Sequence, residues 1–159
     1  MTFIIDGTAG ATFPNGSNPQ AAPSKVLQVV NATYNTQTTT TSTSPVATSL
    51  TASITPLFST SKILVMVSCS TGIIANANGV VLQLWRGGSS IFSINPVSTY
   101  LNGPTVNQLN EQIAQTYLDS PASTSSTTYT VYFASFAAGT AYFCINQNPS
   151  TITLMEIAQ

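Results

Sequence analysis

The segment Lys62-Ile-Leu-Val-Met-Val-Ser-Cys-Ser70 decides the fold class of this chain. Its apolar residues recur at every second position: Ile63, Val65, Val67 and Cys69. This spacing predicts a β-strand with one buried face, because successive side chains of a strand point to opposite faces. Leu64 and Met66 lie on the other face, so we expect both faces of this strand to be at least partly covered.

Similar alternating segments lie on both sides of this strand. The predicted strands are residues 24–31, 46–54, 80–85, 90–94, 112–118, 127–135, 140–146 and 151–158. Gly87-Gly88 separates two of them and is typical of a short hairpin turn. Residues 36–44 are a Thr/Ser run that predicts a loop or a solvated edge strand. Residues 95–110, with two prolines and four asparagines, are expected to form a long loop.

About nine short strands with frequent turn signals and no helical period predict an all-β fold. We expect a two-sheet antiparallel β-sandwich, jelly-roll-like, over residues 25–159. Residues 1–24 form a different segment, because their prolines, at 14, 19 and 23, exclude a helix interior. We expect an extended attachment segment there, the alternative being an undocked tail. The apolar residues expected to dock it are Phe3, Ile4, Ile5 and Phe13.

The composition excludes several classes of function. Only seven residues are charged, or 4% of the chain, against roughly 25% in an average domain. Three basic residues cannot neutralise a row of phosphates, so we expect no nucleic-acid binding. The chain has no histidine, which excludes a His-based catalytic triad and a His-ligated metal. The longest apolar run, residues 63–67, is too short to insert into a membrane as a helix.

Uncharged polar residues take the place of the missing charges. Thr, Ser, Asn and Gln together make up 66 of the 159 residues, and the formal net charge is −1. Sheet edges are normally protected from association by Lys or by inward-pointing charges. Because this chain has few such residues, we expect its edges to be covered by further copies of itself, and we predict a homotrimer.

No pattern in the chain predicts an enzyme. Glu111 and Asp119 are the only carboxylates close in sequence, and we expect Asp119 to cap a turn and Glu111 to be solvated. Cys69 and Cys144 are either two small buried apolar side chains or a disulfide. The sequence predicts neither a metal nor another cofactor.

A sugar-binding surface is the one site that the sequence leaves open. Such surfaces combine an aromatic ring with amide donors and acceptors, often on loops of a rigid sandwich. The residues that we expect at such a site are Trp85, Arg86, Tyr100, Asn102 and Asn107. The alternative is that Trp85 lies in the core and that the asparagines form turns.

Several segments, in order along the chain, resemble tail-fibre and related virion surface proteins of tailed bacteriophages. They are Asp6-Gly-Thr-Ala-Gly-Ala-Thr-Phe-Pro-Asn-Gly-Ser17, Ser61-Lys-Ile-Leu-Val65, Tyr117-Leu-Asp-Ser-Pro121, Thr127-Thr-Tyr-Thr-Val-Tyr-Phe133 and Ser150-Thr-Ile-Thr-Leu-Met-Glu-Ile157. The resemblance implies a β-rich protein on the particle surface, commonly trimeric, with an N-terminal attachment segment and a C-terminal knob. Fibre proteins of this kind often carry a long shaft before the first segment. Here that segment follows Met1 closely, which favours a short fibre or a capsid decoration protein.

The resemblance and the composition together predict a non-enzymatic structural protein of the virion, on the surface of the capsid or the tail. Its partners would be further copies of itself and other virion proteins, which residues 1–24 would contact. The alternative function is that of an adhesin, a fibre tip that binds host-surface glycan.

Overall fold

The computed structural model describes residues 4–6, 10–12, 25–74, 78–101, 108–137 and 139–159. Those residues form twelve β-strands and one 3-10 turn, Ile145–Gln147. The strands are β1 (Ile4–Asp6), β2 (Gly10–Thr12), β3 (Val26–Tyr34), β4 (Thr38–Thr40), β5 (Val46–Ile54), β6 (Lys62–Ile74), β7 (Asn78–Arg86), β8 (Ser89–Leu101), β9 (Gln108–Asp119), β10 (Thr127–Ser135), β11 (Ala141–Phe143) and β12 (Ser150–Ile157).

Two antiparallel sheets form the sandwich. The four-stranded sheet has the order β5-β10-β7-β8, and the six-stranded sheet contains β3, β12, β6, β11, β4 and β9. Strand β9 pairs with β6 along almost its whole length and occupies one edge of it. The opposite edge of β6 is therefore shared by two strands, β12 and then β11. Through the body of the molecule the second sheet therefore has the order β3-β12-β6-β9. These two orders are those of an eight-stranded jelly roll, which confirms the predicted fold class.

The core lies between the inner faces of the two sheets. Ile63, Val65, Val67 and Cys69 of β6 are all at most 5% exposed, as their alternation predicts. The four-stranded sheet contributes its own buried alternating residues: Leu50, Ala52, Ile54, Tyr129, Val131 and Phe133. Fully burying one such aliphatic or aromatic side chain contributes about 1.5–3 kcal/mol, so this inner layer is the main source of stability.

The hairpin and the edge strand appear where the sequence predicts them. Gly87 and Gly88 join β7 to β8 with φ of 54° and 91°, and a two-residue turn with both φ positive matches the twist of the strands. The Thr/Ser run contains β4, which pairs only with β11 among the described residues and so forms an edge.

The predicted loop at 95–110 is wrong over most of its length. Strand β8 continues to Leu101, and β9 already begins at Gln108. Pro96 fits in β8 because this is an edge strand, and because the register shifts by one residue between the pairs Leu82↔Asn95 and Val80↔Ser98. Bulged edge strands are where a sheet tolerates proline.

The predicted strand at 140–146 is too long. Strand β11 ends at Phe143, because Cys144 and Asn146 have left-handed φ values of 53° and 55°. A 3-10 turn follows, and the chain re-enters the sheet as β12.

The first 24 residues contain a separate two-stranded sheet. Strands β1 and β2 pair antiparallel, with Ile5 opposite Ala11. The backbone of Ile4 and Ile5 belongs to β1, while Phe3 and Phe13 lie outside the described residues. The proposed docking role of these four residues stays a prediction.

Candidate functional site

The C-terminal end of β7 carries the two predicted site residues that the structure describes fully. Trp85 and Arg86 are consecutive, so the alternation of the strand directs them to opposite faces. Arg86 pairs with the buried Tyr129 in the register of β10 and faces the other sheet. Trp85 lies on the outer face of the four-stranded sheet and is half-buried. The alternative that placed Trp85 in the core is therefore wrong.

Trp85 forms an aromatic pair with Tyr132 of β10. The ring centroids are 4.2 Å apart and the planes are inclined by 15°. The indole Nε1–H donates to Oε1 of Gln83 at 2.9 Å, which fixes the orientation of the ring. The sequence alone does not predict Tyr132 at this site, because its closeness to Trp85 depends on β10 lying beside β7.

Hydroxyl groups surround the aromatic pair. In the register of the sheet, Trp85 lies between Thr130 and Ser90 on the neighbouring strands. The Thr130 hydroxyl is 3.0 Å from that of Thr51 on β5, and nearby the Ser53 and Thr128 hydroxyls are 2.7 Å apart. This outer face therefore offers two aromatic rings among uncharged donors and acceptors.

On the inner side of the sheet, Arg86 forms an ion pair with Asp119. Its Nη1 donates to both carboxylate oxygens of Asp119, at 2.8 and 2.7 Å. The Tyr129 hydroxyl donates to Oδ2 of the same carboxylate at 2.6 Å. Because Asp119 ends β9 in one sheet and the other two residues belong to the opposite sheet, this cluster ties the two sheets together. It is called the sheet clamp below.

The sheet clamp changes the acid–base properties of its members. The hydrogen bond to Asp119 raises the pKa of Arg86 above its ordinary value. Burial, followed by the hydrogen bond to Asp119, raises the pKa of the Tyr129 hydroxyl well above its ordinary value. Both groups therefore hold their protons at neutral pH, and the cluster is a fixed ion pair with a neutral phenol. Asp119 does not cap a turn as predicted, since it is 5% exposed and its carboxylate faces these two groups.

For the remaining predicted residues of the sugar site, the proposed role stays a prediction. Tyr100 belongs to β8 by its backbone, but its side chain lies outside the described part of the structure, as do Asn102 and Asn107. Only Trp85 among the predicted residues is placed on an outward surface with an aromatic neighbour.

The geometry does not suit Glu111 and Asp119 to paired-carboxylate catalysis. They lie on one strand, eight positions apart, which at about 3.3 Å per residue separates them by about 26 Å. Glycosidases hold their two carboxyl groups about 5–9.5 Å apart.

The structure brings a different pair of carboxylates together. Glu156 of β12 and Asp119 of β9 both pair with Ile63, one on each side. Their backbones are therefore two strand spacings apart, about 10 Å. Glu156 is fully buried and accepts hydrogen bonds from Gln28 Nε2 and from the backbone N–H groups of Leu57 and Phe58. Both carboxylates are thus already occupied by donors of the protein itself.

Both thiols are buried and free, which agrees with the first of the two interpretations of the cysteines. Burial raises the pKa of Cys69 to about 12, and the nearby Cys144 adds to the effect. The Cys144 Sγ is 3.2 Å from the carbonyl oxygen of Tyr34. Reaction requires the thiolate, so the Cys69 thiol is inert at neutral pH.

A second surface, which the sequence alone does not predict, lies on the outer face of the six-stranded sheet. Leu64 pairs with Leu118 on one side and with Met155 on the other, and Met155 pairs with Val29. These four residues form one apolar band across four strands. Val29 and Leu118 are 54% and 48% exposed. The alternation of each strand indicates which of its residues share a face, but it does not indicate how the four strands align.

Comparison with known proteins gives no family: no family model and no curated protein matches the chain. Among the described residues no helix is long and apolar enough to cross a membrane. The same part of the chain contains no group of three or more acidic or cysteine side chains that could hold a metal ion.

Proposed function

We propose that this chain is a non-enzymatic structural protein of a bacteriophage particle, exposed on the surface of the capsid or tail. It forms a small β-knob that assembles as a homotrimer, and residues 1–24 attach the knob to other virion proteins. A short fibre and a capsid decoration protein are the two forms that such a knob takes.

The apolar band is the observation that carries this proposal. The largest contiguous apolar patch on the surface of a soluble protein is often an interaction surface. Near the same end of the sheet, Leu57 and Phe58 are 61% and 56% exposed. The Glu156 carboxylate holds this turn in place by accepting from the backbone of both residues.

Strand β9 supports association at the adjoining edge. Among the described residues its only partner strand is β6, although it is twelve residues long. Its segment 112–118 contains no charged residue and no proline, the residues that commonly protect an edge from pairing. With a net charge of −1, copies of the chain repel one another little. The jelly roll itself is a common fold of viral capsid domains, which supports the proposal by analogy.

Light scattering of the purified protein tests the assembly. We expect a trimer, and we expect Leu118→Lys to convert it to monomer, because a buried apolar contact would become an unpaired charge. Ala47→Lys adds the same charge to an exposed position on the four-stranded sheet and should leave the trimer intact. A soluble monomer for the unsubstituted protein would contradict the proposal.

The position on the particle needs its own test. Immunogold labelling of phage particles with an antibody against residues 25–159 should decorate the capsid or the tail. Deletion of residues 1–22 should leave a folded trimer that no longer joins the particle. Labelling confined to the host cell would contradict a virion role.

A further inference from the structure

We propose that the aromatic pair of Trp85 and Tyr132, on the outer face of the four-stranded sheet, binds a neutral oligosaccharide. This site is separate from the apolar band on the other sheet, so it goes beyond the proposed structural role and does not depend on it.

The first argument is the placement of the rings. The outward residues of β5 near the pair are small and polar, Ser49, Thr51 and Ser53, and all three are exposed. Two large aromatic side chains stand beside this hydroxyl surface and keep part of their area accessible. A sugar ring has one apolar C–H face and a rim of hydroxyls, so it matches an aromatic ring flanked by hydrogen-bonding groups.

The second argument is that the rings are already fixed. The stacking of Trp85 on Tyr132 at 4.2 Å and the hydrogen bond to Gln83 together restrict the rotation of the indole. A ligand that binds rigid rings loses less side-chain entropy than one that must order them, which favours affinity.

The third argument is the supply of polar groups. In the register of the sheet, Gln83 lies between Tyr132 and Ser93, and Trp85 lies between Thr130 and Ser90. A hydroxyl has one donor and two acceptor positions, so a threonine or serine in one hydrogen bond keeps capacity for a ligand.

The fourth argument concerns the charge of the ligand. The guanidinium of Arg86, next to Trp85 in sequence, faces the other sheet and is held by Asp119 at 2.7 Å. The residues around the aromatic pair in the sheet register are uncharged. An acidic sugar would therefore find no counter-charge here, which favours a neutral one.

A stacked aromatic pair can also serve only to stabilise two neighbouring strands, and the experiment must separate these roles. Trp85 is the only tryptophan of the chain, so its fluorescence reports this site alone. The intact protein is titrated with a panel of neutral tri- and tetrasaccharides of glucose, galactose, mannose and N-acetylglucosamine. We expect a saturable change in Trp85 emission with at least one of them, at an affinity that added salt leaves unchanged.

Variants complete the test. Tyr132→Leu should weaken binding about tenfold, the loss expected for one aromatic contact. Tyr142→Leu removes a half-buried tyrosine from the other sheet and should bind as the unsubstituted protein does. Circular dichroism confirms that each variant is folded. If no saccharide of the panel changes the emission, or if folded Tyr132→Leu binds equally well, the proposal is wrong.

Discussion

Asp119 and Glu156 are two buried carboxylates on either side of Ile63, and they are stabilised in different ways. Asp119 faces a charged partner, Arg86, and the hydroxyl of Tyr129. Glu156 accepts from neutral donors, among them one side-chain amide and two backbone N–H groups. Of the three acids whose side chains the structure describes, two thus lie in the interior of a chain that has only seven charged residues.

The difference between them follows from what each carboxylate connects. Asp119 joins two sheets across the interior, where Arg86 can reach it from the opposite sheet. Glu156 joins the turn after β5 to its own sheet, and the exposed backbone donors of that turn are the groups within reach. One carboxylate holds the sandwich closed, and the other fixes the turn that exposes Leu57 and Phe58. Removing each one should therefore have a different consequence.

We expect the largest loss of stability from Asp119→Ala. The substitution leaves the Tyr129 hydroxyl buried without its acceptor and Arg86 without its counter-charge. Because Arg86 is one-third exposed, water can solvate its freed guanidinium and reduce the penalty of losing the ion pair. We estimate a decrease of about 3 kcal/mol in the free energy of unfolding. Urea unfolding measures it. Gln115→Ala, at an exposed position on the same strand, is the control and should change stability by less than about 0.5 kcal/mol.

Glu156→Gln should have a smaller effect and should remove an acid dependence. Burial opposes ionisation of this carboxylate, but the hydrogen bonds that it accepts, the strongest of them from Gln28, outweigh it and lower its pKa below the ordinary 4.5. The folded state then favours the charged form, so the contribution is present above pH 4.5 and is lost as the pH falls through the lowered pKa.

Unfolding midpoints measured from pH 7 to pH 2 test this dependence. Glu156→Gln should cost about 1–2 kcal/mol at pH 7 and should unfold with a flatter acid limb than the unsubstituted protein. Acid limbs of equal slope would show that folding does not lower the pKa of Glu156. The turn should also loosen, with faster hydrogen exchange at the amides of Leu57 and Phe58.

Tyr129→Phe should give the smallest of the three effects, about 1 kcal/mol, because it removes one hydrogen bond and leaves the ring. The raised pKa of Tyr129 means that the folded state favours the neutral phenol. Its contribution is present below the ordinary pKa of 10 and is lost as the pH rises through the raised value. The unsubstituted protein should therefore lose stability above pH 10 more steeply than the variant. Parallel alkaline limbs would contradict this account of the sheet clamp.

The sequence by itself determined the strands and the class of fold. Alternation in residues 46–54 and 127–135 predicted β5 and β10 at the bounds that the structure gives them. Gly87-Gly88 likewise predicted the hairpin. These predictions succeed because a few neighbouring residues encode the local conformation. The local signal gave the wrong extent for two strands. Pairing with β7 extends β8 to Leu101, and left-handed backbone at Cys144 and Asn146 ends β11 early.

Only the tertiary structure decided which residues meet. Tyr132 stacks on Trp85, and Asp119 pairs with Arg86, because the jelly-roll order places β10 beside β7 and the end of β9 opposite them. The apolar band likewise requires four strands in one register. Alternation specifies which face of its own strand a residue occupies, but it does not specify the neighbouring strand. Order and register arise from the packing of the whole core, so the two surfaces proposed for assembly and for saccharide binding exist only in the folded sandwich.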